Sequence, residues 1–588
     1  MAEVKSGYQI SNIYQGGYSA LAPSSNNYAT AGSFGMTTDP RSANILKEVS
    51  SKLSMGVKQI EIEGVTPQVF DSVPKQQLKE VNRLSKLTGI DVSLHGPVMD
   101  VAGFSQSGFS ETDREAAEKK VADTLLRAHD LNPDGNIPVN FHTAEGIPGS
   151  QLLPPSEREE GKEYKRLLVV HKKTGKIAPL ESETFYYPGV KDLEKGKFKT
   201  PEKRLEILNE SEWDNSINQI IFNKERADEI LQKNKPFIEH ILPEIQNGTF
   251  QIHDLPEEQQ QAARSFRLAQ NYLEDVYKQI NNVFSDAYEY GTDKQKRELQ
   301  KMSENFGEQL KKVKDPFDQA IVMDELINGL KKPDFTPEVY MPLEEFAAEK
   351  GATTFGNAAF KSYKEYGDKS PTLVIENPPA GFALSTGEDV KNVVEKSREQ
   401  FVKKAVEEGM SESSAKQQAE KFIGATWDVG HINMLRKFGY SEEDIIKESE
   451  KVAPFIKHVH LSDNFGFEHT ELPMGMGNVP LKEIMGKLGE KGFEARKIIE
   501  AGNWWQHFQT PPFQEVLEAT GTPLYSMKMA PHWGQAPGLY QGYFTGYGQM
   551  LPQMNYETFG AGFSRLPMEL GGQVQGAGGS RMSGRPME

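Results

Sequence analysis

The chain of 588 residues contains no cysteine. Disulfides and thiolate metal sites are thereby excluded, and any bound metal must be held by histidine, aspartate or glutamate. The same absence leaves the compartment open, because a disulfide-free protein can reside anywhere. No stretch approaches the roughly 18 consecutive apolar residues of a bilayer-spanning helix. The opening MAEVKSGYQISNIYQGGYSA lacks a charged segment followed by an apolar run, so no secretory signal is read there. A soluble, cytoplasmic protein with no membrane partner is the expectation. Excess positive charge is missing too: the formal net charge is −17. That argues against a broad nucleic-acid-coating surface, although phosphate contact depends on the distribution of charge rather than its sum. Bound divalent cations would neutralise part of it.

What is present is a repeated strand–helix alternation. Residues 1–31 are rich in Ser, Gly, Asn and Tyr and read as a flexible lead-in. GSFGMTT then reads as a first strand with a helix near residues 42–55, and KQIEIEG as a second strand. PKQQLKEVNRLSKLTG follows as a helix closed by Gly89, and IDVSLHGP is the third strand. SETDREAAEKKVADTLLRAHDL is a helix with Ser110 as its N-cap, and IPVNFHTAEG is the fourth strand. Alternation stops over residues 148–340. EYKRLLVVHKKTGKIAPL there reads as a hairpin turned at Thr174-Gly175. Phe266, Tyr272, Leu273, Val276, Tyr277, Ile280 and Phe284 recur at helical spacing, as the core of a helical subdomain. PTLVIENPPAG, GATWDVGH, IKHVHLSDN and KIIEAG supply strands five to eight, separated by helical stretches. The expected fold is α/β, a (β/α)8 TIM barrel in two halves (32–147 and 341–536) around an insertion after strand four. The insertion follows a strand's carboxyl end and is expected to act as a lid or a substrate-selecting wall. The Gly- and aromatic-rich tail, 537–588, is expected to be disordered.

Six apolar runs end in an acidic or histidine residue: His95, His142, Glu376, Asp428 with His431, His460, and Glu500. Chemistry in such barrels is built from strand ends on one face, so six in succession suggest a polynuclear metal site. A buried, unpaired carboxylate costs several kcal/mol, so Glu376 within TLVIENPP and Glu500 within KIIEAG need a cation or strong donors. Glu376, Asp428, His460 and Glu500 complete one divalent site by type and order. His458 shares a strand face with His460 one layer deeper, where support of a ligand or packing is expected. His469 and Glu471, two apart in FEHTELPMGMGN, offer a further pair.

H-G-P at strand three, F-H at four, E-N at five, D-x-x-H at six, H-L-S-D at seven, the paired-ligand loop before G-x-G-N, and I-E at eight resemble endonuclease IV. That is the second family of abasic-site endonucleases, within the xylose isomerase-like barrel superfamily. The resemblance covers residues 32–147 and 341–502. It implies three zinc ions: His95, His142 and Glu376 at the first; bridging Glu376 with Asp428, His460 and Glu500 at the second; His431, His469 and Glu471 at the third. Asp463, in the H-L-S-D stretch, joins His458 in supporting the ligands. Glu376 and Glu500 are the candidate catalytic carboxylates, and DNA with abasic sites is the implied partner. This chain departs from the family where His469-Thr-Glu471 replaces Asp-x-His, and where the DNA-penetrating loops after strands two and three are not recognisable. The alternative is a sugar or sugar-phosphate isomerase or epimerase with one Mn2+, Co2+ or Mg2+ and a small sugar substrate. Glu376 and Glu500 would then serve as ligand and base.

Overall fold

A computed structural model describes residues 34–54, 57–186, 197–236, 256–313, 316–332 and 335–502, with Trp504, Pro512 and Val516. The expected flexible lead-in and disordered tail lie outside these residues. No helix among the described residues is long and apolar enough to cross a membrane.

Eight short runs of mostly apolar residues become parallel strands. These are β1 (Phe34–Thr37), β2 (Gln59–Glu63), β3 (Asp91–His95), β4 (Pro138–His142), β5 (Thr372–Glu376), β6 (Ile423–Asp428), β7 (Ile456–Leu461) and β8 (Arg496–Ile499). They close into a barrel in chain order, with β1 pairing both β2 and β8. The TIM barrel read from the sequence is therefore the fold. Strands buried on both faces read as continuous apolar runs rather than alternating ones, and every residue of β5 and β6 is buried. Register sets the heights of the strand ends. Glu376 lies opposite His142, Asp428 opposite His460, and Glu63 opposite His95.

Alternation then sorts the side chains. In β6, Thr426 and Asp428 share the inward face, while Trp427 points out and donates from Nε1 to Ser449 Oγ at 3.0 Å. Ser449 belongs to the helix Glu442–Val452, which begins with a Ser441–Asp444 capping box. The two helix ends expected from sequence are present. Ser110 Oγ accepts from Asp113 N at the start of Glu111–Ala128, and Gly89 closes Lys75–Thr88 with φ +67°. The first helix runs Ile45–Ser54.

The described residues divide into two compact units, and the second comprises Ser107–Phe109 and Ser150–Phe346. The strand Tyr164–His171 pairs with Ile177–Glu181, the chain reversing through Gly175 at φ +70°. Gln151–Leu152 and Tyr340–Pro342 join the same antiparallel sheet. The helices Pro201–Lys233, Glu257–Tyr290, Asp293–Lys312 and Pro316–Leu330 enclose a separate core that includes Trp213, Ile217, Phe266, Leu273, Val276 and Ile280. Tyr277 departs from the expected core set. It is 36% exposed and lies beside Phe306, because its position falls on the flank of the apolar stripe.

Replacement of Trp427 by alanine is expected to destabilise the barrel by about 3–5 kcal/mol through the cavity it leaves. Urea unfolding of the full chain, followed by circular dichroism, measures the shift.

Candidate metal centre

Glu376 ends β5 with no exposed surface. Its two oxygens face different partners. Oε2 lies 3.3 Å from His95 Nε2 and 3.5 Å from His142 Nε2, and accepts a hydrogen bond from Asn140 Nδ2. Oε1 lies 2.9 Å from His460 Nδ1. One carboxylate thus belongs to two donor groups: His95, His142 and Glu376 on one side, and Glu376, Asp428, His460 and Glu500 on the other. Within each group the ligand atoms lie no more than 4.8 Å from one another.

Asp428 is held by the turn that it starts. Its Oδ1 accepts from Gly430 N at 2.7 Å, His431 N at 2.8 Å and Ser462 Oγ at 3.1 Å, capping the short helix Val429–Asn433. A side chain at position 430 would collide with Ser462 Oγ, so glycine there lets the turn close. Asn377, next to Glu376, bonds both the N–H and the carbonyl of Asp428 and ties the ends of β5 and β6 together. Asp428 Oδ2 is buried without a hydrogen-bond partner.

The third group hangs on the loop after β7. His431 Nε2 and His469 Nε2 are 2.8 Å apart, and Glu471 Oε1 lies 3.7 Å from His469 Nε2. This group converges less closely than the other two. Glu471 adopts φ +46°, a left-handed conformation uncommon for a side chain of its size, and such strain persists where the surroundings impose it. Asp463, expected among the groups supporting the ligands, organises this loop. Its carboxylate accepts from the N–H groups of Asn464, Gly475, Gly477 and Val479, and its backbone pairs both ways with Leu472.

Three imidazoles are oriented alike. The Nδ1 atoms of His95, His142 and His431 face Gly96 O (2.9 Å), Glu145 Oε2 (3.0 Å) and Asn377 O (2.8 Å). An N–H held at Nδ1 leaves Nε2 as the inward lone pair, the form a metal requires. His458, expected one layer below His460, is there, fully buried against Glu61.

The strand-two glutamates were not among the candidates. Glu61 is fully buried, and Glu63 lines a cavity of about 320 Å3 with His95, His142, His431, His469 and Glu500. The signal was the Ile-Glu-Ile-Glu alternation itself, which turns both carboxylates to one face.

Burial governs the electrostatics, modified by close pairs. It pushes His431 down to about 4 and raises the Glu500 and Glu471 carboxyls. At Glu376 burial is outweighed by the charges of His460 and His142 and by hydrogen bonds, which hold it well below the usual carboxylate range. At His95 burial is outweighed by the bond to Glu376 and the charges of Glu63, Glu376 and Glu61, which lift it to about 10. The donor set fits divalent cations: it is all nitrogen and oxygen, it converges, and it includes the orphaned Asp428 Oδ2 in the interior.

A metal needs His95 neutral, whereas the metal-free protein keeps it protonated below about pH 10. Metal uptake near neutral pH is therefore expected to release protons. Affinity should rise about tenfold per pH unit for each proton displaced, until the imidazole is already neutral. Chelator-competition titrations between pH 6 and 9, with proton release counted by an indicator, read both; affinity independent of pH would contradict the expectation.

Residues 415–518 match the family described as xylose isomerase-like TIM barrel. An 83-residue stretch is 31% identical to the uncharacterized protein MJ1311 of Methanocaldococcus jannaschii, covering 14% of this chain and 27% of that relative. Solved structures similar to this chain include a D-tagatose 3-epimerase-like protein (TM-score 0.34, 14% identity, 84% of this chain and 99% of that one). An L-ribulose 3-epimerase is another (TM-score 0.35, 9% identity, 87% and 98%). The family match falls on β6 to β8 of the closed eight-stranded barrel.

Proposed function

We propose that the barrel is a metal-dependent hydrolase of phosphate diesters, of endonuclease IV type, acting on DNA at abasic sites. The observation that carries this reading is the division of Glu376 between two donor groups, Oε2 toward His95 and His142 and Oε1 toward His460. A single-ion isomerase would hold its metal with Glu376, Asp428, His460 and Glu500, and does not need all of His95, His142, His431, His469 and Glu471.

Bound divalent cations would supply Lewis-acid charge to phosphate oxygens and lower the pKa of water. His95, His142 and Glu376 would hold one ion, and Glu376, Asp428, His460 and Glu500 a second. His431, His469 and Glu471 would hold a third. The protein's own part is positioning. Asn140 fixes one Glu376 oxygen, and the turn after β6 fixes Asp428. The hydrogen-bonded loop after β7 presents His469 and Glu471 at the wall of the cavity. Glu63 lines the same cavity without belonging to any of these three groups, and burial raises its carboxyl to about 7, so it is placed to hold a proton there.

Elemental analysis of the purified full chain is expected to give close to three metal ions per molecule. The zinc-loaded protein is expected to nick duplex DNA containing an abasic site. Glu376→Gln, which keeps the shape but removes the shared charge, should lower nicking at least a hundredfold, on the order of 3 kcal/mol in the barrier. One ion per chain, with turnover of ketose sugars and no nicking, would replace this reading with the isomerase. A fully loaded enzyme inert toward abasic duplex would end it.

A further inference from the structure

Glu61 sits mid-strand in β2, fully buried, and belongs to none of the three donor groups above. Its Oε1 lies 2.9 Å from His460 Nε2. Its Oε2 lies 2.9 Å from His458 Nε2 and accepts from Ser93 Oγ at 2.6 Å. The two ring contacts are at hydrogen-bond distance but out of line. Both histidines are as deeply buried as the glutamate.

His460 is turned the opposite way from three of the other candidate-ligand imidazoles. His95, His142 and His431 anchor Nδ1 outward, whereas His460 directs Nδ1 inward, 2.9 Å from Glu376 Oε1 and 3.1 Å from Glu500 Oε1. A neutral imidazole has one ring proton. Nδ1 can offer a lone pair to the central group only if that proton resides on Nε2. The carboxylate facing Nε2 is Glu61. The rings of His95, His142 and His431 have an oxygen acceptor on the outer nitrogen, and Glu61 supplies the same element for the reversed ring.

We propose that Glu61 is the positioning carboxylate of His460, holding the Nε2 proton so that Nδ1 serves the central donor group. Ser93 and His458 in turn hold Glu61, forming a three-strand relay through β3, β2 and β7. The inference rests on the metal centre of the proposed function, but not on the choice of substrate.

The test uses the full chain, stripped with a chelator and titrated with Co2+, whose visible absorption reports ligand geometry. Wild type is expected to bind Co2+ with a tetrahedral or five-coordinate spectrum. Glu61→Gln should keep its circular dichroism and thermal midpoint near wild type, weaken Co2+ binding by about 10–100-fold and alter the spectrum, as loss of an outer partner to a histidine ligand does. Ser93→Ala, a smaller change that removes one donor to Glu61, should shift affinity the same way by a lesser factor, and it decides the matter if Glu61→Gln does not fold. Wild-type affinity and spectrum in every variant that folds would overturn the proposal while leaving the metal centre intact. Complete loss of one ion with the others unaffected would also overturn it, since Glu61 would then be a ligand. Failure of the wild type to bind Co2+ at all would instead remove the metal centre itself.

Discussion

A carboxylate with no exposed surface at the axis of a parallel barrel is the constraint on which the site depends. Glu376 cannot remain there uncompensated, since an unpaired buried charge costs several kcal/mol. Its neighbours answer that demand from three directions, with Asn140 and His142 on β4, His95 on β3 and His460 on β7. In the metal-free protein, compensation comes from protons on imidazoles. His95 is lifted to about 10 and Glu376 held low, while Glu500, where burial prevails, is raised. A bound cation would balance the same interior charge in place of those protons.

The strands and their boundaries are legible in the sequence. Apolar runs ending in His, Asp or Glu marked the strands, and Gly89, Ser110 and the Thr174-Gly175 turn marked boundaries through backbone chemistry that does not depend on the rest of the fold. The glutamates of β2 were legible as a strand but not as site residues. Ile-Glu-Ile-Glu looks like a half-exposed strand with its acids in water. In a closed barrel Ile60 and Ile62 pack outward beneath helices, and the polar face is the interior, so Glu61 is as buried as its isoleucine neighbours. The task of Asp463 was equally hidden, because it depends on how residues 464–479 fold back, and short-range pattern carries no record of that.

The interior of this barrel is polar to an unusual depth. Such interiors are commonly filled by layers of branched apolar side chains. Here the layer beneath the strand ends includes Glu61, Ser93, Asn140, Thr426 and His458, all buried. Several of their atoms, among them Asn140 Oδ1, Thr426 Oγ1 and His458 Nδ1, have no hydrogen-bond partner. Stability that a hydrocarbon core would supply is forgone in favour of a framework that sets ring tautomers and carboxylate directions above it. The apolar packing lies outside the barrel wall, where Trp427, Phe141 and Leu94 are fully enclosed.

Asp428 joins two tasks in one side chain. One oxygen closes the turn that carries His431, and the other accepts no hydrogen bond and lies 3.7 Å from His431 Nε2. The rim of β6 and the donor it presents therefore cannot drift apart under mutation. Relocating this carboxylate by even one position would unmake the turn and misplace His431 together with it.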